Sequence, residues 1–125
     1  SDELGHDAFF QRKDGVKVYF NIELANTHAK RSEGLMWREH LAPRGGMLFD
    51  FEHSSRIRMW MKNTLVPLDM VFIDDQSRIV HIHENTEPLS LEIIETPLDA
   101  RYTVEINAGE ARDYALSVGD RWHVE

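Results

Sequence analysis

The 125-residue chain contains no cysteine. That excludes a disulfide framework, a thiolate nucleophile and any zinc or iron–sulfur centre held by cysteine. No apolar run approaches the roughly 20 residues that a membrane-spanning helix needs, and residues 1–11 show no basic end followed by an apolar stretch. A soluble chain without membrane insertion is expected. A leader removed on export would leave no trace, so the sequence is compatible with a periplasmic or otherwise exported protein and with a cytoplasmic one. Internal repeats, low-complexity tracts and linkers are absent, as are a phosphate-binding glycine loop and a nucleophile elbow around Ser54, Ser55 or Ser90. Nucleotide binding and serine hydrolysis are therefore poorly supported.

A basic excess is also lacking. The formal charge is −8, whereas general nucleic-acid binding needs a basic surface to neutralise phosphate. The charge is uneven. Residues 30–62 hold Lys30, Arg31, Arg38, Arg44, Arg56, Arg58 and Lys62 against Glu33, Glu39, Asp50 and Glu52, a net +3 that leaves −11 for the rest. With 42% hydrophobic and 29% charged residues, the composition is that of one globular domain over 1–125, with about residues 1–14 as a loose N-terminal segment.

Period-2 alternation of Val16, Val18, Phe20, Ile22 and Leu24 predicts a half-buried strand. Thr27 can cap a short helix reaching about Met36. Turn residues then separate short apolar runs: Pro43, Gly45 and Gly46 precede Met47 to Phe51, and His53-Ser54-Ser55 precedes a strand over Arg56 to Lys62. Leu68 to Asp74 is apolar on both faces apart from Asp69, as in a central strand, and it turns into Ile79 to His83 as a hairpin. Strands over Ser90 to Ile94, Arg101 to Asn107 and Arg121 to Val124 follow, with a short helix over Ala108 to Leu116. The fold class expected is mostly β, a single-domain β sandwich or barrel with one or two short helices.

Four groups of residues could carry chemistry. On an extended strand Arg56, Arg58, Trp60 and Lys62 share one face, and a tryptophan among cations is a platform for an anionic or sugar-like ligand. In the plainer reading the Arg and Lys stems simply cover a partly exposed Trp. Asp69, embedded among apolar residues, needs a partner to stay ionised, for which Lys62, Arg31 and Arg38 are the choices. His81 and His83 share a strand face at a spacing that can ligate one metal, with Glu84 and Glu87 nearby. The five methionines, Met36, Met47, Met59, Met61 and Met70, could offer thioethers to copper, but among apolar neighbours they read as core filler. No cofactor is predicted.

The ordered pieces Arg31-x-x-Gly34-Leu35-Met36-x-Arg38, Gly46-Met47-Leu48-Phe49-x-Phe51, Trp60-Met61-Lys62-Asn63-Thr64 with Pro67-Leu68-Asp69, and Phe72-Ile73-Asp74 resemble a prokaryotic family, domain of unknown function 192. The likeness continues through Ile82-His83-Glu84 and Tyr102-x-x-Glu105-x-Asn107-x-Gly109 to Val118-Gly119-Asp120. It implies a compact β sandwich or barrel of jelly-roll-like character, often encoded behind an export signal, with no established activity. The polar positions that match the family are Arg31, Arg38, Lys62, Asn63, Asp69 and Glu105. Arg56 and Arg58 lie outside the motif, and Met59 stands where an aromatic is usual.

Three readings follow. In the first, a non-enzymatic binding or accessory domain accepts a small anionic or sugar-like ligand among Arg31, Arg38, Trp60, Lys62, Asn63, Asp69 and Glu105. In the second, Asp69 or Glu105 is a general base beside Lys62 while Asn63 holds an oxyanion. In the third, the same polar set forms a satisfied internal network of a structural or protein-interaction module. A metal protein using His81 and His83 is a weaker alternative.

Overall fold

The computed structural model describes residues 5–125. Its elements are β1 (His6–Gln11), β2 (Lys17–Ala25), α1 (His28–Glu33), β3 (Gly45–Ser55), β4 (Arg58–Met59), β5 (Leu68–Ile73), β6 (Ile79–His83), β7 (Ile94–Glu95), β8 (Ala100–Asn107), α2 (Glu110–Asp113) and β9 (Arg121–Val124). Seven strands form one sheet in the order β6-β5-β8-β3-β2-β1-β9, and β4 and β7 form a separate two-stranded ribbon. Among the described residues only β2 and β3 pair in parallel, and α1 lies on the connection between them. A parallel pair cannot be joined by a tight turn, which explains the crossover.

The sheet curls until its two edges meet. A bridge joins Arg78 to Arg121, and backbone bonds run from Ile79 N to Asp120 O at 2.9 Å and from Trp122 N to Ser77 O at 2.8 Å. The mostly β expectation is thus realised as a curled half-barrel with two short helices. Curling gives the sheet a concave apolar face, on which Phe10, Phe20, Ile22, Val71, Val104 and Trp122 pack. The convex face carries a second cluster, including Met47, Phe49, Met70 and Phe72, covered by Ile57 and Met61 from the β4 region. β5 is buried along its whole length because it runs between β6 and β8 with a core on each side.

Three sequence expectations change, the first being the strand expected over Ser90 to Ile94, which is reduced to Ile94–Glu95. The start is not loose from His6 onward, since β1 sits between β2 and β9 and buries Phe10 against Trp122 with ring centroids 4.6 Å apart; residues 1–4 of the expected loose segment lie outside the described residues. The strand expected over Arg56 to Lys62 shrinks to Arg58–Met59, because Lys62 and Asn63 turn and Asn63 takes φ 54°. The helix expected after Thr27 forms as α1, its hydroxyl accepting from Lys30 N at 3.2 Å, and stops at Gly34 with φ 52°.

Gly46 shows how closely β3 and β8 approach. A Cβ on it would lie 2.6 Å from the carbonyl oxygen of Glu105 and 3.1 Å from an Ile106 methyl. Backbone cannot yield as a flexible side chain does, so Gly46→Ala should lower unfolding free energy by about 2 kcal/mol, the range of overpacked cores. Urea unfolding checks this, and a variant as stable as the parent would mean that the two strands separate freely.

Candidate functional site

The candidate site follows from strand alternation. On β8, Val104 and Ile106 enter the concave core, so Thr103 and Glu105 point to the convex side. On β3, Leu48 is on the concave side, while Met47 and Phe49 share the side of Glu105. Register then places Glu105 between Met47 of β3 and Met70 of β5. The end of α1, with Gly34, Leu35 and Met36, walls one side, and Arg58 to Trp60 with Lys62 walls the other. Between them is a cavity of about 180 Å³. Gly34 permits this wall, since a Cβ there would lie 3.1 Å from the Phe49 ring.

Glu105 lies at the floor. It is 4% exposed, and its carboxyl has no hydrogen bond or ion pair among the described residues. Burial without a compensating charge pushes its pKa up to about 8. At neutral pH it is mostly the uncharged acid, able both to donate and to accept a hydrogen bond. The rim is cationic. Lys62 lies with Nζ 5.1 Å from the centroid of the Trp60 ring, and Arg58 is 3.5 Å from Glu95. Arg31 donates to the Asp50 carbonyl at 2.9 Å. Glu33 is the one acid among the rim residues.

Of the residues singled out from sequence, Arg31, Trp60, Lys62 and Glu105 therefore line one cavity. Arg38, Asn63 and Asp69 do not. Arg38 forms a two-pronged pair with Glu23, with its second nitrogen 2.8 Å from Glu23 Oε1, and that bond raises its pKa. Asn63 uses its left-handed backbone to turn the chain and accepts from Trp37 N at 2.8 Å.

Asp69 is fully buried on the opposite face of β5 from Met70, so it cannot work beside Glu105 or Lys62. Its partner is none of Lys62, Arg31 and Arg38. The carboxylate accepts three backbone N–H groups instead, from Asn85 at 2.9 Å and from Gly109 and Ala111 at 3.0 Å each. Arg56 pairs with Asp99 at 3.4 Å, away from the cavity.

The walls formed by Phe49, Phe51, Met36 and Met59 read in sequence as core, and Arg58, a member of the cationic strand face, lies outside the family motif. Their signal was the alternation of Met47, Phe49 and Phe51 along one strand, which marks a shared face without saying that part of it is left open. His81 stacks on Phe72 with centroids 5.9 Å apart, and its pKa is lowered by burial and then by His83. His83 lies at a separate surface hollow with Glu87 and Glu92. Among the described residues no group of three or more His, Asp or Glu side chains stands in a metal-binding arrangement, and no helix is long and apolar enough to cross a membrane.

Residues 9–124 match the family model of domain of unknown function 192, described as an uncharacterized ACR. The chain belongs to this family. The DUF192 chain is similar to a protein from Sinorhizobium meliloti 1021, provisionally described as a transcription regulator, at 39% identity and a TM-score of 0.93, covering 96% of this chain and 93% of that one. It is also similar to a protein of unknown function from Novosphingobium aromaticivorans DSM 12444, at 28% identity and a TM-score of 0.90, covering 95% and 84% of the two chains. None of the curated proteins matches the DUF192 chain significantly.

Proposed function

We propose that this DUF192 domain binds a small organic anion in the cavity between α1, β3 and the β4 region. The observation that carries the reading is the pairing of an apolar cavity with a cationic rim, in which Lys62 has no carboxylate partner among the described residues. A few converging polar groups in an otherwise apolar concavity are the usual make-up of a small-molecule site. An anion is favoured over a neutral sugar because the Trp60 ring that would stack a sugar already carries the Lys62 ammonium.

Binding is also favoured over catalysis. Asp69 is held by three amides on the far face, and Glu105, mostly protonated at neutral pH, offers little of its base form until pH rises toward 8. The description of the Sinorhizobium protein does not transfer readily, since a net charge of −8 opposes contact with DNA phosphates.

A thermal-shift screen tests the proposal, with small carboxylates, sugar acids and phosphate against neutral sugars. Ligand at ten times its Kd stabilises the folded state by about 1.4 kcal/mol, which raises Tm by several degrees in a domain of this size. Saturable shifts with carboxylates, lost in Lys62→Ala, are expected. No shift with any anion would refute the reading.

A further inference from the structure

We propose that the ligand of this cavity is a zwitterion, its ammonium group seated inside against Glu105 and the aromatic wall, its acid group at the Arg58 and Lys62 rim. The inference rests on the small-anion reading above and adds the second charge. The apolar cavity has ionisable groups at its two ends: cations stand at the rim, and a single carboxyl stands at the floor. From the adjoining strands Glu105 is faced by Met47 and Met70, which carry no charge, and across the cavity the titratable groups are Arg31, Glu33, Arg58 and Lys62. A buried carboxyl with no partner is uncommon in folded proteins. A cation docked beside it supplies that partner.

Three ligand classes can be weighed at that floor. A second carboxylate placed there would take one charge-assisted hydrogen bond from the protonated acid, but its charge would lie away from the cations of the rim. A hydroxyl would form one neutral hydrogen bond. An alkylammonium gains both the carboxylate charge and the aromatic wall of Phe49 and Phe51, whose ring quadrupoles attract cations. Phe49 and Phe51 are suited to this, with planes 12° apart and centroids 6.4 Å apart. The volume of about 180 Å³ equals roughly six water molecules in the liquid, which suits a betaine or small amino acid.

The proton balance is the signature. When the ammonium binds, Glu105 releases its proton to solvent and becomes the carboxylate that pairs with the ligand. Titration calorimetry at pH 7 in bis-Tris and in imidazole, whose ionisation enthalpies differ and neither of which brings a competing buffer anion to the rim, counts that proton. The probes are glycine betaine, γ-aminobutyrate, and 3,3-dimethylbutanoate, the carbon isostere of betaine that lacks the positive charge.

A zwitterion is expected to bind at least tenfold more tightly than the isostere and to release nearly one proton, in line with linkage. Glu105→Gln should abolish the release and the preference together. If that variant does not fold, the two-buffer measurement on the parent still decides. Equal or tighter binding of the isostere, or of another carboxylate while both zwitterions fail, overturns the inference and leaves the anion site standing. Binding of a zwitterion without proton release also overturns it. Failure of every anion and zwitterion overturns both.

Discussion

Asp69→Ala is expected to lower the unfolding free energy by about 4 kcal/mol, because one buried and two part-buried N–H donors lose their acceptor at once and an unpaired donor carries a penalty of about 1–3 kcal/mol. One oxygen accepts from Asn85 in the chain leaving β6, and the other accepts from Gly109 and Ala111 at the start of α2. The first amides of a helix have no partner within it, so Asp69 completes α2 from outside. The same carboxylate thus ties β5, the β6 exit and α2 together at one end of the concave core. Urea unfolding followed by tryptophan fluorescence measures the loss. A change below 1 kcal/mol would mean that the amides find other acceptors. Anion binding by whatever fraction folds should match the parent, since Asp69 lies on the far face of β5 from the cavity. A loss of affinity without loss of stability would place Asp69 in the site after all.

The contrast between Asp69 and Glu105 shows what the sequence could and could not disclose. Both are acids in apolar strands, and both match the family motif, yet one collects three amides and the other none. Alternation along β2, β5 and β8 reveals which residues share a face, and the β5–β6 hairpin follows from its turn residues. Neither fact reveals which strand lies alongside. The register that sets Glu105 between Met47 and Met70 joins residues far apart in sequence, and a carboxylate satisfied by backbone N–H leaves no mark in side-chain pattern.

Arg38 was equally opaque for the same reason, since its partner Glu23 stands on β2, before the crossover through α1. Arg31, Trp60, Lys62 and Glu105 were legible as polar or aromatic positions that packing alone explains poorly, and they converge on one cavity. β1 was missed because its strand signal is the short Ala8-Phe9-Phe10 run in a polar start. It is fixed by neighbours on both edges, one of them the last strand of the chain.

The unpaired state of Glu105 makes stability depend on pH with a definite sign. Its pKa stands at about 8 in the folded chain against 4.5 for a free carboxyl, so between those values the folded state holds a proton that the unfolded state has released. Stability from this group is therefore full below about pH 4.5 and is lost as pH rises toward 8. The slope is at most about 1.4 kcal/mol per pH unit, and the total is on the order of 4 kcal/mol. Glu105→Gln keeps the shape and the neutral polar group but cannot ionise.

The difference in unfolding free energy between variant and parent, measured by urea titration from pH 5 to 9 without added ligand, should shift steadily in the variant's favour and level off above about pH 8. Other titrating groups, including Glu110, whose carboxyl is also raised by burial, cancel in the difference. A flat difference curve would show that Glu105 has a charged partner in solution, and the cavity floor would then already be occupied by the chain itself.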